Sequence, residues 1–214
     1  MPRNIILIIS LITAISLNYS YPGVKIAFLP FKNKSDFKNG WFISEEIPRY
    51  LSGEIEKEGI FTVFNFDSLL KVLDKEGVDW ESITDFSILR RICELTGSDR
   101  LILGKIIEFD ISRYYVGDIT FGGVQYYRAK VIVEFSLFDP GVENLTAVEH
   151  AAGIVSQRSI GITMFGKLKK QVSLYKLLDT LQFGSEEFRK TIIGSAMDIL
   201  SLDFIKKLKK HIDK

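Results

Sequence analysis

The chain has 214 residues, 46% of them hydrophobic, and a formal net charge of +1. That is enough length and apolar content for a real core, with no overall field to draw nucleic acid or an acidic substrate. One cysteine, Cys93, excludes an internal disulfide, and two widely separated histidines, His150 and His211, exclude a Cys/His metal site built from neighbouring ligands.

At the start, Arg3 precedes an apolar run from Ile5 to Leu17, and small or polar residues follow at Ser16, Asn18 and Ser20. The pattern is that of a signal peptide over 1–20, cut after Ser16 or Ser20, and an uncleaved anchor is the alternative reading. The run is shorter than the roughly 20 residues a spanning helix requires. Residues 21–214 are expected to form a single exported domain, periplasmic or associated with the outer membrane.

Val24 to Phe31 is a nearly continuous apolar run, expected as a strand buried on both faces. A polar loop over 33–40 leads to a helix from about Ser44 to Glu58, with Ile47, Leu51 and Ile55 on one face, Pro48 near its first turn and Gly59 as its stop. Ile60 to Phe64 alternates as a second strand. Asp67 is the expected cap of a short helix ending at Gly77, and Thr84 or Asp85 that of the next, which carries Leu89, Ile92 and Cys93 and closes at Gly97. Cys93 reads as a small buried hydrophobe. Arg100 to Phe109 is the third strand, and this alternation argues for a sheet covered by helices.

After Asp110 the pattern turns antiparallel. From Tyr127 to Leu137 every second residue is apolar, with Arg128, Lys130, Glu134 and Ser136 on the opposite face. Asp139-Pro140-Gly141 is a turn, and Thr146 to Gln157 returns as the partner strand. A last helix is expected from its cap at Ser185 to about His211, with a stripe of Phe188, Ile192, Ala196, Ile199 or Leu200, Phe204 and Leu208. The lysines near its end, Lys206, Lys207, Lys209 and Lys210, suit the negative end of the helix dipole, with an anionic-lipid or partner contact as the other reading.

Catalytic signatures are lacking. Gly161 to Lys167 fits G-x-x-x-x-G-K, but Leu168 stands where a phosphate loop needs Ser or Thr. His150 has no acid and nucleophile beside it in sequence. We expect no enzyme, cofactor, metal or nucleotide.

The succession KIAFLPF, a helix ending in Gly, IFTVFNFDSLLKVLDKEG, then LTGSDRLILGKIIEFD resembles the curli-secretion channel (CsgG) superfamily. That superfamily also includes the TolB amino-terminal domain and lipoprotein activators of penicillin-binding proteins. The later strings SQRSIGI, SLYKLL and FGSEEF occur in the order of the curli-channel family. The resemblance implies an α/β fold: a helix-covered mixed sheet with two inserted antiparallel hairpins, at 110–127 and 158–175, that are candidates for crossing a membrane, and a long C-terminal helix. It also implies a homo-oligomeric ring whose hairpins build a shared outer-membrane barrel for an exported protein substrate.

In the second hairpin Ile160, Ile162, Met164, Val172 and Leu174 alternate with small or polar residues and are the candidate lipid-facing positions. The resemblance places a pore constriction after the first strand, so Phe37, Asn39, Trp41 and Phe42 are candidate lumen residues; equally, Trp41 and Phe42 could staple the start of the first helix. Two functions follow: a subunit of a secretion pore or of its assembly, or a soluble periplasmic module that recruits or activates an envelope enzyme or motility component. In the second case both segments are surface hairpins.

Overall fold

In a computed structural model, the described residues are 23–38, 40–80, 83, 85–118, 122–146, 148–161 and 180–212. The elements in chain order are β1 (Lys25–Phe28), β2 (Lys32–Asn33), α1 (Ile43–Glu58), β3 (Thr62–Val63), α2 (Phe66–Lys75), α3 (Phe86–Thr96), β4 (Arg100–Asp118), β5 (Gly122–Asp139), β6 (Asn144–Leu145), β7 (Glu149–Gly161), α4 (Glu186–Arg189) and α5 (Ile192–Ile212). The strands form one mixed sheet in the order β3-β1-β4-β5-β6, with β2 also on β4 and β7 also on β5. β1 pairs parallel with β3 and β4, and β2 parallel with β4, while β5 pairs antiparallel with β4, β6 and β7. This is the helix-covered mixed α/β sheet expected from the sequence.

The first strand is shorter than the apolar run from Val24 to Phe31: β1 ends at Phe28, and a second short strand, β2, follows the run at Lys32–Asn33. Pro30 has no N–H for a ladder, and Phe31 turns away from the ladder to donate its N–H to the Ser44 carbonyl at 2.8 Å. That carbonyl is free because Pro48, four residues on, cannot donate to it. Pro48 lies in the second turn of α1, and its missing donor joins the helix to the segment that precedes it. Phe31 then lays its ring over Gly104, where a β-carbon would fall 2.5 Å from the ring.

Helix ends follow their capping chemistry. Asn65, not Asp67, caps α2 by accepting from the Ser68 N–H at 2.9 Å, and Asp85 caps α3 through the Ser87 N–H at 2.8 Å. Gly59 and Gly97 end α1 and α3 in the left-handed conformation, at φ 65° and 59°, which a glycine adopts without a Cβ penalty. β3 is shorter than Ile60 to Phe64; the partner strand begins later and runs further than Thr146 to Gln157, as β7, and a two-residue strand, β6, precedes it.

The sheet has two unlike faces. On one, Ile26, Phe28, Ile102, Ile106, Val133, Phe135 and Leu137 pack against α1 and α5 in the main core. Phe204 of α5 stands 4.1 Å from Phe135 and 5.8 Å from Phe28, ring centre to ring centre; burying each such ring contributes about 2–3 kcal/mol. On the other face, Ala27, Leu29, Leu101 and Phe138 meet Leu69, Leu73, Leu89, Ile92 and Cys93 of α2 and α3. Cys93 is buried, and burial pushes its thiol up to about 11, so the expectation of a structural cysteine fits its surroundings.

The third strand runs past Phe109 to Asp118 and pairs with β5 out to Asp118–Gly122. The first insertion is thus a continuation of two core strands. A bulge between Ile106 and Glu108 adds Ile107 to one strand only and reverses the alternation. Before it, Ile102 and Ile106 face the main core; after it, Phe109 and Ile111 do. The last helix is interrupted. Thr191 accepts from the Gly194 N–H at 3.0 Å and donates to the Phe188 carbonyl at 2.6 Å, so it caps α5 as a new helix after the single turn of α4, which Ser185 caps. Within α5, Leu200 is buried and Ile199 is exposed.

Candidate interaction surface

The loop between β2 and α1 is tied down by aromatic packing. Trp41 lies 6.3 Å from Phe37, 6.3 Å from Phe109, 5.3 Å from Phe183 and 5.4 Å from Phe188, mostly edge to face. Its indole N–H donates to the Leu181 carbonyl at 2.9 Å. Of the four candidate lumen residues, Phe37 and Trp41 are brought together in this cluster. Phe42 stands apart with 81% of its surface exposed, at the N-cap of α1, where it offers no side-chain cap. Asn39 lies outside the described residues. The cluster joins the first loop to the segment that re-enters the fold before α4.

Beside it is a charged bridge between α1, α4 and α5. Arg189 pairs with Glu54 and, at 2.8 Å, with Asp198, and stacks over the Tyr50 ring at 4.7 Å. Tyr50 donates its hydroxyl to Asp198, and burial, followed by that bond, raises its pKa. For Glu54, burial alone would raise the carboxyl, but hydrogen bonds from Lys57 and Arg189 outweigh it and hold the group below its ordinary range. Each charge in the bridge has its partner, which describes a structural clamp and not a poised catalytic group.

The outer face of β4, β5 and β7 is different in kind. The α2 and α3 layer covers the sheet only as far as Leu101, Leu103 and Phe138, and beyond it the three strands continue without a helix among the described residues. Lys105 pairs with Glu134 and Lys130 with Glu108, both at 2.5 Å. Beside these pairs stand Ile107 and, opposite Lys130 in the ladder, Ile154, 40% and 43% exposed. Further out, Tyr114 and Tyr126 stack in parallel, with centroids 5.1 Å apart and planes within 8°, and Tyr126 is opposite Arg158 in the ladder. A groove of about 380 Å³ marks where the helix layer stops, lined by Phe86, Leu103, Leu145 and Val148 among others.

Of the candidate lipid-facing residues, Ile160 has its backbone in β7, paired with Val124. Ile162, Met164, Val172 and Leu174 lie outside the described residues, as does most of the GITMFGK string. His150 is an exposed residue of β7. Among the described residues no group of His, Cys, Asp and Glu could hold a metal, and no helix is long and apolar enough to cross a membrane.

Strand alternation alone does not find the Tyr114–Tyr126 pair, because the bulge at Ile107 shifts the phase of the strand and so sets that Tyr114 faces outward. The Glu54–Arg189–Asp198 bridge joins positions 135 residues apart and leaves no local signal.

No protein-family model matches the chain, and no curated protein matches it by sequence. Solved structures with a similar course include lipoprotein GNA1162 from Neisseria meningitidis, at 14% identity and TM-score 0.44, over 72% of this chain and 92% of that one. The C-terminal domain of LpoB from Escherichia coli aligns at 14% identity and TM-score 0.41, over 63% of this chain and 84% of its own. The hypothetical protein CT253 from Chlamydia trachomatis aligns at 11% identity and TM-score 0.47, over 87% and 95%.

Proposed function

We propose that this chain is a non-enzymatic interaction module of the cell envelope, exported by its N-terminal apolar segment, which recruits or activates another envelope protein. The observation that carries the reading is the outer face of β4, β5 and β7, which no helix among the described residues covers. A sheet face built only for solvent has no need of a stacked tyrosine pair and two half-exposed isoleucines among its ion pairs. Tyrosine and arginine are the residue types enriched where proteins meet, and Tyr114, Tyr126, Arg128 and Arg158 share this face. The aromatic cluster and the charged bridge lie behind the sheet and hold it rigid, which lowers the ordering cost of binding.

The test is a photo-crosslinking amino acid placed at Ile154 in cells producing the full chain, with Val142, exposed at the far turn, as the control position. One discrete envelope protein captured at Ile154 and not at Val142 supports the reading. No adduct at Ile154, or the same products at both positions, sinks it.

A second reading is a subunit of a secretion pore, or of its assembly, favoured by one feature. β4 and β5 pair without interruption beyond the core to Asp118 and Gly122, so the first hairpin is continuous with the sheet as a barrel strand pair would be. From Ser112, past Ile111, the outermost residue of β4 described as buried, to Asp118 the arm is shorter than the roughly 9 to 11 residues a tilted spanning strand requires. Discrete conductance steps in a planar bilayer would favour the pore over the module.

A further inference from the structure

Helix α5 packs its buried side, Ile193, Met197, Leu200, Phe204 and Leu208, on the sheet. Its opposite side is unusual. Ile199 and Leu202 are 43% and 65% exposed, and Lys206 and Lys210 are exposed in the same register. At 100° per residue, Ile199, Leu202, Lys206, Lys209 and Lys210 fall within one arc of about 100°, and from Ile199 to Lys210 the stripe is about 16 Å long. The carboxylates that flank it are already engaged, Asp198 with Arg189 and Asp203 with Lys207. Among the described residues Lys206, Lys209 and Lys210 make no ion pair within 4 Å; Glu149 pairs with His211 at 2.9 Å, and that bond, aided by Lys210, holds its carboxylate below the ordinary range.

We propose that this stripe is a docking surface for a bilayer carrying anionic headgroups, with α5 lying along the membrane plane. Two aliphatic side chains next to three unpaired lysines on one helical face match an acyl boundary beneath a layer of negative charge. Lysine is depleted at protein interfaces, whereas a flexible point charge suits a diffuse anionic surface. The apolar run from Ile5 to Leu17 has the pattern of a signal peptide; on the export reading proposed above it brings the chain to a membrane, so the surface has the occupant within reach. This contact does not depend on the outer sheet face, which belongs to different elements.

The test uses the full chain with Leu202→Cys carrying a polarity-sensitive fluorophore; the native thiol, Cys93, is buried and stays unlabelled. The protein is reconstituted with vesicles of phosphatidylethanolamine and phosphatidylglycerol, and separately of phosphatidylcholine alone. The expected result is a blue-shifted emission on the anionic vesicles only, reversed by 0.5 M salt, at roughly which concentration screening acts within a few ångströms. Lys206→Ala, Lys209→Ala and Lys210→Ala together should lower the ratio of inserted to free helix roughly a hundredfold, at about fivefold per lysine. Equal emission on both compositions, indifference to salt, or an unshifted spectrum on anionic lipid overturns the proposal. The last of these would leave the lysines to an acidic protein.

Discussion

Single atoms decide several features of this molecule. Gly153 of β7 faces α5, and a β-carbon there would fall 1.8 Å from the Ala196 carbonyl oxygen. The helix can lie on the sheet only because that side chain is missing, so Gly153→Ala should cost about 3 kcal/mol in chemical denaturation. Gly53, inside α1 with nothing within 4 Å of its would-be β-carbon, should respond in the opposite sense: Gly53→Ala is expected to stabilise by about 0.5–1 kcal/mol. A helical glycine and a strand glycine look alike in sequence, and only the neighbours separate them.

Glu54 gives a prediction in pH at the same scale. Its folded pKa lies below the ordinary 4.5 because Lys57 and Arg189 overcome the cost of burial. Such a group stabilises the fold above its unfolded pKa, and the contribution is lost as pH falls through the folded value. Glu54→Gln should therefore lower stability at neutral pH and flatten the acid side of the profile below about 4.5. Urea titrations of both proteins from pH 7 to about 3 should converge at the acid end; curves that stay parallel would show that Glu54 is not linked in this way.

At the level of elements, the caps divide into those written in sequence and those made by tertiary choice. Asp85 and Ser185 act where a short polar residue before an apolar-periodic run predicts them. Thr191 is different, since the apolar stripe passes through it without a visible break. The chain turns there because Gly194 sits against the Phe188 carbonyl, where a β-carbon would fall 2.1 Å away, and because Thr191 can serve both helix ends. Thr191→Ala should lower stability by about 1 kcal/mol, read by thermal unfolding. Phe42 is the converse case, an exposed aromatic at a cap position; Phe42→Ser should supply the missing acceptor and raise stability by about 1 kcal/mol. No gain would show that Phe42 has packing of its own.

For the whole molecule, the two faces of β7 predict two outcomes. Ile154→Asp on the outer face should leave the unfolding temperature nearly unchanged while removing partner capture. Val155→Asp, packed against the main core, should unfold the domain, since it buries a charge with no partner. Circular dichroism melts of the two variants separate a binding surface from a structural one. Equal destabilisation would mean that the outer face is itself covered in the folded protein.

The sequence by itself determined the order of elements, the glycine stops of α1 and α3, the inward row Ala129, Val131, Val133, Phe135 and Leu137, and the buried character of Cys93. These are local matters, because periodicity and capping depend on residues a few positions apart. The mixed sheet with its C-terminal helix follows that order. Tertiary structure alone decided that Trp41 reaches Leu181, that Arg189 joins α1 to α5, and that a bulge at Ile107 turns Tyr114 outward onto Tyr126. Such contacts bring together positions from a dozen to 140 residues apart. Their partners are selected by the packing of the finished sheet, which no window along the chain contains.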